Sequence, residues 1–319
     1  MAEILLIKTS SLGDVIHHMP AVTEARLRRP DARFAWVVEE SFAPLLRLHP
    51  AVDTVITGAS RRWRGALLRA ETWCEIRDFR QALCAKAYDE IIDTQGLVRT
   101  ALVARYAQGR SHGYDADSIK ERAAAWFYNV RHRVAREQHA IARNRSLCAL
   151  ALGYVCAGAP DYGLDRARFT APNVSPYGIL LHATARAEKE WPEANWRALG
   201  EVFGRGIDLV LPFGSAHERA RSERIASGIA RARVPGWQPI DAMARLIAGA
   251  SFVVGVDTGL LHLAAAFGVP LVAIFSGSEP RLTGPIGGGP ITVLEGNPVP
   301  VEAVATAVDA IVNGSLALR

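Results

Sequence analysis

A carboxylate in a polar loop near the start of the chain could act as a base. The segment Thr9–Asp14 (TSSLGD) follows a short apolar run and precedes a helical pattern. Exposed backbone N–H groups and the positive end of a helix dipole gather at such a junction. Asp14 suits a catalytic carboxylate there, but aspartate also favours helix N-termini as a capping residue. The sequence alone leaves both interpretations open.

A second polar cluster interrupts the most apolar stretch of the chain. Asp257, Thr258 and Gly259 fall between a predicted strand and a predicted helix, and His262 follows Thr258 by one helical turn. The N–H groups at a helix start can hold an anion such as a diphosphate, and a residue one turn on can face the same ligand. Because three polar residues inside an apolar run need a reason, we favour a ligand site over a capped helix with a core histidine.

Two further strand-to-helix turns carry groups that suit a nucleotide. The hydroxyl of Thr184 and the amine of Lys189 lie in one loop and could hold phosphate oxygens, with solvated loop charge as the alternative. Glu218 follows another strand and could accept hydrogen bonds from ribose hydroxyls. Glutamate is also favoured in the first turn of a helix for its charge, and this structural interpretation is the simpler one for Glu218.

Basic residues are concentrated in one part of the chain. Residues 61–136 hold 15 basic and 9 acidic residues, although the net charge of the whole chain is only +5. Arg61, Arg62 and Arg64 lie close together, and Lys120 follows further along. Guanidinium groups suit carboxylates and phosphates, so the pattern indicates an anionic substrate, a membrane surface or nucleic acid, with a solvated basic face as the ordinary alternative. Few aromatic side chains accompany these arginines, which argues against nucleic acid.

Two patterns that resemble metal sites are interpreted as structural. Asp115-Ala-Asp117 has a spacing that some sugar transferases use for a divalent cation, but it lies in a polar loop rather than after an apolar strand. His17 and His18 fall inside the first helical pattern, with no third ligand at a suitable spacing. The four cysteines form no CxxC pair and match no Cys/His metal spacing. We therefore predict no bound metal and a reducing environment.

Alternating strands and helices must position these residues. The chain has 319 residues, of which half are hydrophobic and 22% are charged, the size and composition of about two soluble globular domains. Apolar runs at Ile4–Lys8 and Phe34–Val38 alternate with helical patterns such as Val15–Arg28. Glycines and prolines interrupt the alternation around 157–176, and it resumes with Gly178–His182. We predict an α/β fold with two parallel sheets that face a central crevice, in which ligands bind beyond the carboxyl ends of the strands.

The apolar stretch Leu246–Phe275 is long enough for a membrane span but holds an aspartate and a histidine in its middle. We interpret it as strand Phe252–Val256, helix Leu260–Phe267 and strand Leu271–Phe275. The opening apolar run is too short, and meets a lysine too early, for a signal peptide. These features predict a cytoplasmic protein.

Seven segments of the chain together resemble one family. They are Lys8–His17, Trp36–Glu40, Arg61–Arg64, Asp93–Leu97, His182–Thr184, Lys189–Pro192 and Val256–Gly259. The set is similar to the bacterial ADP-heptose:lipopolysaccharide heptosyltransferases of glycosyltransferase family 9, over almost the whole chain. The Asp-Thr-Gly element is typical of the wider family, whereas the Arg-Arg-Trp-Arg and Lys-Thr-Ser-Ser elements point to its type I branch, which adds the first heptose to the inner core.

The resemblance implies a fold, a reaction and a location. It implies a GT-B fold with an acceptor-binding domain at 1–165, a nucleotide-sugar-binding domain at 176–300 and a closing helix at 301–319 that packs back on the first domain. The implied reaction is the inverting, metal-independent transfer of L-glycero-D-manno-heptose from ADP-heptose to the Kdo of Kdo2-lipid A, with no cofactor. Since that acceptor is embedded in a membrane, a peripheral position on the cytoplasmic face of the inner membrane is implied, with no nucleic-acid partner.

The resemblance also implies roles for individual residues. Asp14 is similar in position to the general base that takes a proton from the attacking Kdo hydroxyl. Contacts to the nucleotide sugar are implied for Thr184, Ala185, Lys189, Glu218, Gln238, Asp257, Thr258, Gly259 and His262. Contacts to the acceptor are implied for Ser11, Gly13, Arg61, Arg62, Arg64 and Lys120.

Two positions depart from the family pattern. Ala185 stands where a second threonine is usual, which leaves only a backbone contact there, and Gln238 stands near the adenine pocket where a methionine is usual. A later heptosyltransferase of the same family and a non-catalytic ADP-sugar binding protein are the alternatives. The second alternative predicts binding of the nucleotide sugar without turnover.

Overall fold

The chain divides into two compact units, Met1–Gly163 and Leu164–Arg319, in a computed structural model. The model describes residues 1–171, 175–184, 186–277 and 279–316, without the side chains of 313–316. In the described residues each unit holds a six-stranded sheet whose strand pairs are parallel, with helices between the strands. The predicted α/β fold with two parallel sheets is therefore confirmed.

The first sheet has the strand order β3-β2-β1-β4-β5-β6. Its strands are β1 (Glu3–Ile7), β2 (Arg33–Glu39), β3 (Thr54–Gly58), β4 (Tyr88–Asp93), β5 (Gly109–Tyr114) and β6 (Val130–His132). The order reverses between β1 and β4, where Ile7 lies beside Asp93 in the strand register. Loops beyond such a reversal point are the usual ligand-binding position of a parallel sheet.

Helices connect the strands of the first unit. They are α1 (Leu12–Arg28), α2 (Ala43–Leu46), α3 (Ser60–Arg64), α4 (Ala70–Leu83), α5 (Val98–Tyr106) and α6 (Ala140–Leu152), with 3-10 turns at Glu40–Phe42 and Arg122–Phe127. Because Ser11 provides its N-cap, α1 begins at Leu12, three residues before the predicted start at Val15. Its helical pattern otherwise extends to Arg28 as predicted.

The second sheet has the order β12-β11-β10-β7-β8-β9. Its strands are β7 (Tyr177–Leu181), β8 (Asp208–Val210), β9 (Ala232–Arg233), β10 (Phe252–Val256), β11 (Leu271–Phe275) and β12 (Ile291–Glu295). The helices are α7 (Glu193–Phe203), α8 (Ala216–Ala226), α9 (Ile240–Gly249), α10 (Gly259–Ala266), α11 (Pro280–Thr283) and α12 (Val301–Leu316), with 3-10 turns at Arg166–Arg168 and Ala187–Lys189. The interpretation of the long apolar stretch as strand, helix and strand is confirmed, and no helix in the described ranges is both long and apolar enough to cross a membrane.

The second unit begins earlier than the composition of its linker indicates. The sequence placed its start at 176, but the unit takes in the chain from Leu164. Nε of Arg166 donates to the carbonyl of Ala248 at 2.7 Å, and the rings of Phe169 and Phe267 lie 4.8 Å apart. These contacts attach the segment before β7 to the second unit, although its glycines and prolines look like those of a free linker.

The helix α12 contributes to the core of the second unit. Val304 and Val308 are buried there in one cluster with Trp191 and Trp196, whose rings meet edge to face at 4.9 Å. Every contact that we describe for this helix lies within the second unit. The expected packing of residues 301–319 on the first domain is not supported by these contacts and stays a prediction.

Candidate active site

Asp14 lies in the first turn of α1. Its Oδ2 accepts hydrogen bonds from the backbone N–H of Ser11 at 2.8 Å and from the Ser11 hydroxyl at 3.1 Å. Ser11 is the N-cap, and Asp14 is the third helical residue, which returns a bond to the cap as in a capping box. The interpretation of Asp14 as the N-cap itself is therefore wrong by three residues, although its carboxylate does stabilise the helix start. No hydrogen bond to its second oxygen is present among the described residues.

The loop before Asp14 is held by the turn after β4. The side-chain oxygen Oε1 of Gln95 accepts hydrogen bonds from the backbone N–H groups of Thr9 and Ser10, at 3.0 and 3.3 Å. Arg99 donates from Nη2 to the Ser10 hydroxyl at 3.1 Å. These roles of Gln95 and Arg99 are not predictable from local sequence, because their partners lie more than eighty residues away.

A buried lysine and a buried aspartate lie below this loop. Nζ of Lys8 donates to the carbonyl of Thr94 at 2.9 Å, and burial lowers the pKa of Lys8 against the opposing effect of the Asp14 and Asp93 carboxylates. Burial raises the pKa of Asp93, although the hydroxyl of Tyr128 donates to its Oδ2 at 2.7 Å. Asp14 thus has the buried Lys8 among its near charges. The sequence did not predict this, because Lys8 stands at the end of an apolar strand.

The basic residues predicted to hold the acceptor differ in their surroundings. Arg62 uses Nε and Nη2 for the two oxygens of Glu40, both at 3.0 Å, and Nη1 for Glu75 at 2.9 Å. These carboxylates raise the pKa of Arg62. Arg61, Arg64 and Lys120 are exposed and have no ion-pair partner in the part of the chain that the structure describes. The cations available to an anionic ligand are therefore these three rather than Arg62.

Glu39, at the end of β2, positions the helix that carries these arginines. Its Oε1 accepts the backbone N–H of Arg61 at 3.0 Å, and its Oε2 accepts the Ser60 hydroxyl at 2.8 Å. A carboxylate at a helix N-terminus satisfies N–H groups that lack an intrahelical partner. The short helix α3 is thus attached to the sheet, which explains a local structure that the sequence analysis did not predict.

In the second unit, three of the predicted residues converge on a fourth, Asp257. Nζ of Lys189 lies 2.5 Å from Oδ2 of Asp257, and Nε2 of His262 lies 3.7 Å from Oδ1. The hydroxyl of Thr184 donates to the Asp257 carbonyl at 2.9 Å. These side chains come from three separate segments of the chain, and the strand ends of β7 and β10 bring them together. Ala185 lies outside the described residues.

The same cluster includes the start of α10. Thr258 is the N-cap in an extended conformation, Gly259 is the first helical residue, and His262 is buried one turn further on. The N–H groups at this helix start and the ammonium group of Lys189, which is paired with Asp257, are donors suited to the oxygens of a diphosphate. The ligand interpretation of the apolar stretch stays a prediction.

Glu218 and Gln238 are not brought to this cluster by any contact that we describe. Oε2 of Glu218 accepts the backbone N–H of Gly214 at 2.6 Å, while its own N–H donates to the Ser215 hydroxyl at 3.2 Å. The structural interpretation of Glu218, as a stabiliser of the first helical turn, is confirmed. Gln238 donates to the carbonyl of Gly236 at 3.3 Å within its own loop.

The two patterns that resemble metal sites serve local structure. Oδ1 of Asp115 accepts the backbone N–H of Ser118 at 2.9 Å and closes a turn. Asp117 pairs with Arg122 at 3.4 Å on the surface. The ring of His18 meets Trp36 edge to face at 4.8 Å, and burial lowers the pKa of His18. The ring of His17 meets that of His139 edge to face at 5.5 Å. These contacts give the four residues roles in turn formation, surface pairing and packing.

Comparison with known proteins finds a family and similar relatives for this chain. The profile of glycosyltransferase family 9 (heptosyltransferase) matches residues 76–299. Lipopolysaccharide heptosyltransferase 1 of Salmonella typhimurium is 44% identical over 290 residues, which cover 89% of this chain and 92% of that protein.

Two solved structures are also similar to this chain. One is the E. coli heptosyltransferase WaaC with ADP, at a TM-score of 0.90 and 40% identity, which covers 96% of this chain and 99% of that one. The other is WaaC with ADP-2-deoxy-2-fluoro heptose, at a TM-score of 0.87 and 40% identity, with the same coverage of both chains. The fold and the sequence are therefore both similar to heptosyltransferases.

Proposed function

Because the chain belongs to glycosyltransferase family 9, we propose that it transfers L-glycero-D-manno-heptose from ADP-heptose to the Kdo of Kdo2-lipid A, in the assembly of the lipopolysaccharide inner core. The convergence of Lys189, Thr184 and His262 on Asp257 at the start of α10 carries this proposal. A family relative of 40% identity binds ADP and an ADP-heptose analogue in its solved structures.

Binding of the nucleotide sugar is assigned to the second unit. The diphosphate would take the N–H groups of Thr258 and Gly259, with the ammonium group of Lys189 beside it. Lys189 is paired with Asp257 at 2.5 Å, so its positive charge is held in place before any anion arrives. Glu218 would contact the ribose through the oxygen that its bond to Gly214 leaves available, whereas Gln238 and the backbone of Ala185 are carried over from the resemblance alone.

Asp14 is assigned as the general base in a single displacement. The acceptor hydroxyl oxygen forms a bond to the anomeric carbon while the bond from that carbon to the ADP oxygen breaks. The hydroxyl proton goes to the Asp14 carboxylate, and the configuration at the anomeric carbon inverts. Lys189 and the N-terminus of α10 stabilise the negative charge that develops on ADP. No step requires a metal ion in this scheme.

The acceptor is assigned to the loop of Asp14 and to the basic residues of the first unit. Ser11 and Gly13 flank the base, and Arg61, Arg64 and Lys120 offer cations for the Kdo carboxylates or the lipid A phosphates. Arg62 would join them only by exchanging one of its carboxylate partners. Since the acceptor is a membrane lipid, we place the enzyme on the cytoplasmic face of the inner membrane as a peripheral protein.

The test measures ADP release from ADP-heptose, with and without Kdo2-lipid A. We expect release that depends on the acceptor and that the substitution Asp14→Asn abolishes, because the amide keeps an oxygen for the Ser11 N–H but cannot take a proton. The matched control is Asp165→Asn, since Asp165 also accepts a backbone N–H, that of Ala167 at 3.0 Å, and has no assigned role.

Other outcomes separate the alternatives. ADP release that requires an acceptor already carrying heptose would identify a later heptosyltransferase. Binding of ADP-heptose without release, unaffected by Asp14→Asn, would identify a non-catalytic ADP-sugar binding protein.

A further inference from the structure

The connection between α3 and α4 exposes large apolar side chains. Leu67 is 49% exposed, Leu68 is 102% exposed and Trp73 is 58% exposed. A single exposed leucine is ordinary on a soluble protein, but a contiguous apolar patch indicates an interaction surface. We call these three residues the apolar patch.

Hydrogen bonds order the backbone that carries the apolar patch and the ring of Trp73. The indole N–H of Trp73 donates to the carbonyl of Leu67 at 2.8 Å, so the ring stays next to the connection. The backbone N–H of Ala66 donates to the Trp63 carbonyl at 2.9 Å, and that of Arg69 donates to the Ala66 carbonyl at 3.0 Å. The exposed side chains are therefore presented by consecutive tight turns and need little ordering when they bind a partner.

Positively charged residues flank the apolar patch in the sequence. Residues 60–73 include four arginines and one acidic residue, Glu71. Arg62 is neutralised by Glu40 and Glu75. Arg61, Arg64 and Arg69 have no ion-pair partner within the described ranges, so the charge that flanks the leucines is available to an anionic partner.

This combination of groups fits the surface of an anionic bilayer. Leucine and tryptophan enter the boundary between headgroups and acyl chains, where a tryptophan ring is favoured, and arginines contact the lipid phosphates. Neither signal alone gives stable attachment, but an apolar insertion beside a basic cluster combines the two.

We propose that the apolar patch docks the first unit on an anionic bilayer, with Leu67, Leu68 and Trp73 in the interface and Arg61, Arg64 and Arg69 at the lipid phosphates. The inference rests on the proposed function, because a membrane-embedded acceptor gives the first unit a reason to bind lipid. Arg61 and Arg64 are shared with the acceptor assignment, whereas Leu67, Leu68, Trp73 and Arg69 are assigned to the bilayer alone.

The first test is binding to vesicles that contain no acceptor. Phosphatidylethanolamine vesicles with or without phosphatidylglycerol are mixed with the wild type and with the double variant Leu67→Ser, Leu68→Ser, and bound protein is measured by flotation. We expect binding that requires phosphatidylglycerol and that falls about tenfold or more in the double variant, because insertion of two leucine side chains is lost. The matched control is Leu27→Ser, which alters a leucine that is 72% exposed at the end of α1, next to Arg26 and Arg28.

Three results would overturn the docking proposal. The wild type fails to bind the anionic vesicles, the double variant binds as well as the wild type, or the control loses as much binding as the double variant. A dimer of the wild type that dissociates in the double variant, measured by light scattering without lipid, would assign the patch to a second copy of the chain and overturn it as well.

A second assay distinguishes failure of docking from failure of the proposed function. ADP release is measured with an acceptor stripped of its acyl chains and with Kdo2-lipid A embedded in vesicles. We expect the double variant to match the wild type on the soluble acceptor and to lose most activity on the vesicles. Vesicle binding without ADP release on either acceptor would contradict the proposed function alone, and equal activity of both proteins on vesicles would contradict docking alone.

Discussion

The ammonium group of Lys189 lies 2.5 Å from Oδ2 of Asp257, at the start of α10. Asp257 also has His262 at 3.7 Å on its other oxygen, and its backbone carbonyl accepts the Thr184 hydroxyl. One carboxylate therefore lies beside a cation and a histidine at the start of a helix. A site built in this way holds an anion by groups that are already in position, which lowers the cost of ordering them.

Removal of the Lys189 charge should weaken use of ADP-heptose. Loss of a charge-assisted hydrogen bond costs about 1.5–3 kcal/mol, so we expect Lys189→Ala to raise KM for the nucleotide sugar roughly 10- to 100-fold. Steady-state kinetics with a saturating acceptor measures this. The control is Lys86→Ala, which breaks an ion pair with Glu3 in the other unit. Unchanged kinetics for Lys189→Ala would remove Lys189 from the phosphate site.

Substitutions of Asp14 should separate its catalytic role from its helix role. Asp14→Ala loses the bond to the Ser11 N–H and should lower the free energy of unfolding by about 1 kcal/mol. Asp14→Asn keeps an acceptor at that position and should keep the stability. Both should lower kcat by about 100-fold or more with little change in ADP affinity, because each lacks the base. Urea denaturation, ADP titration and turnover measure the three effects, and turnover that tracks stability alone would leave Asp14 only the helix role.

Tyr128 should stabilise the first unit through Asp93. Its hydroxyl donates to Oδ2 of the fully buried Asp93 at 2.7 Å. Tyr128→Phe leaves that carboxyl with one partner fewer, and we expect a loss of about 1–3 kcal/mol in the free energy of unfolding, measured in urea. Tyr106→Phe is the matched control, because Tyr106 is exposed and its described side-chain contact is made by the ring, over which Arg80 lies. Equal losses in the two variants would contradict a specific role of the Tyr128 hydroxyl.

The ring of His49 should make the stability of the first unit depend on pH. The backbone N–H of Ala51 donates to Nδ1 at 3.2 Å, which leaves Nε2 to donate to the carbonyl of Tyr162 at 2.9 Å, so the folded ring is neutral. Burial lowers the pKa of His49 from 6.5 to about 4. As the pH falls through this interval, the unfolded chain binds a proton that the folded ring does not. The stabilisation is thus fully present above pH 6.5, and about 3 kcal/mol of it is lost on reaching pH 4.

Denaturation of the wild type and of His49→Gln between pH 7 and pH 4 tests this dependence. The introduced amide can still donate to the Tyr162 carbonyl but does not titrate. Over this pH range the free energy of unfolding of the variant should therefore fall by about 3 kcal/mol less than that of the wild type. His217→Gln, at an exposed position, should follow the wild type. Parallel curves for the wild type and His49→Gln would show that the His49 ring does not cause the loss.

Much of the architecture follows from local patterns in the sequence. Strands that are covered on both faces read as continuous apolar runs, and β1, β10 and β11 were predicted within two residues for that reason. Asp257 interrupts the longest apolar stretch of the chain. We predicted a ligand site there because polar residues inside an apolar run need a reason. The chain from Ser60 to Leu83 has no comparable pattern, and its two helices were not predicted.

Other features depend on partners that are distant in the sequence. The Ser11 cap shares its helix turn with Asp14, yet aspartate and serine are both good caps, so only the structure shows which residue precedes the helix. Arg62 lies between Glu40 and Glu75, which come from other segments of the chain. Gln95 and Arg99 likewise attach the Asp14 loop from a distant segment.

The amino-acid sequence by itself determined the class of fold, the family and the turns in which the chemical groups lie, because burial and helix capping act over a few neighbouring residues. Only the tertiary structure decided which of those groups are already paired. In the folded chain Lys189 pairs with Asp257, and Arg62 pairs with two carboxylates. Arg61 and Leu68 stay exposed. Pairing depends on the distance between charged groups on different strands and helices. The sequence around a carboxylate does not show which cation will lie next to it in the folded chain.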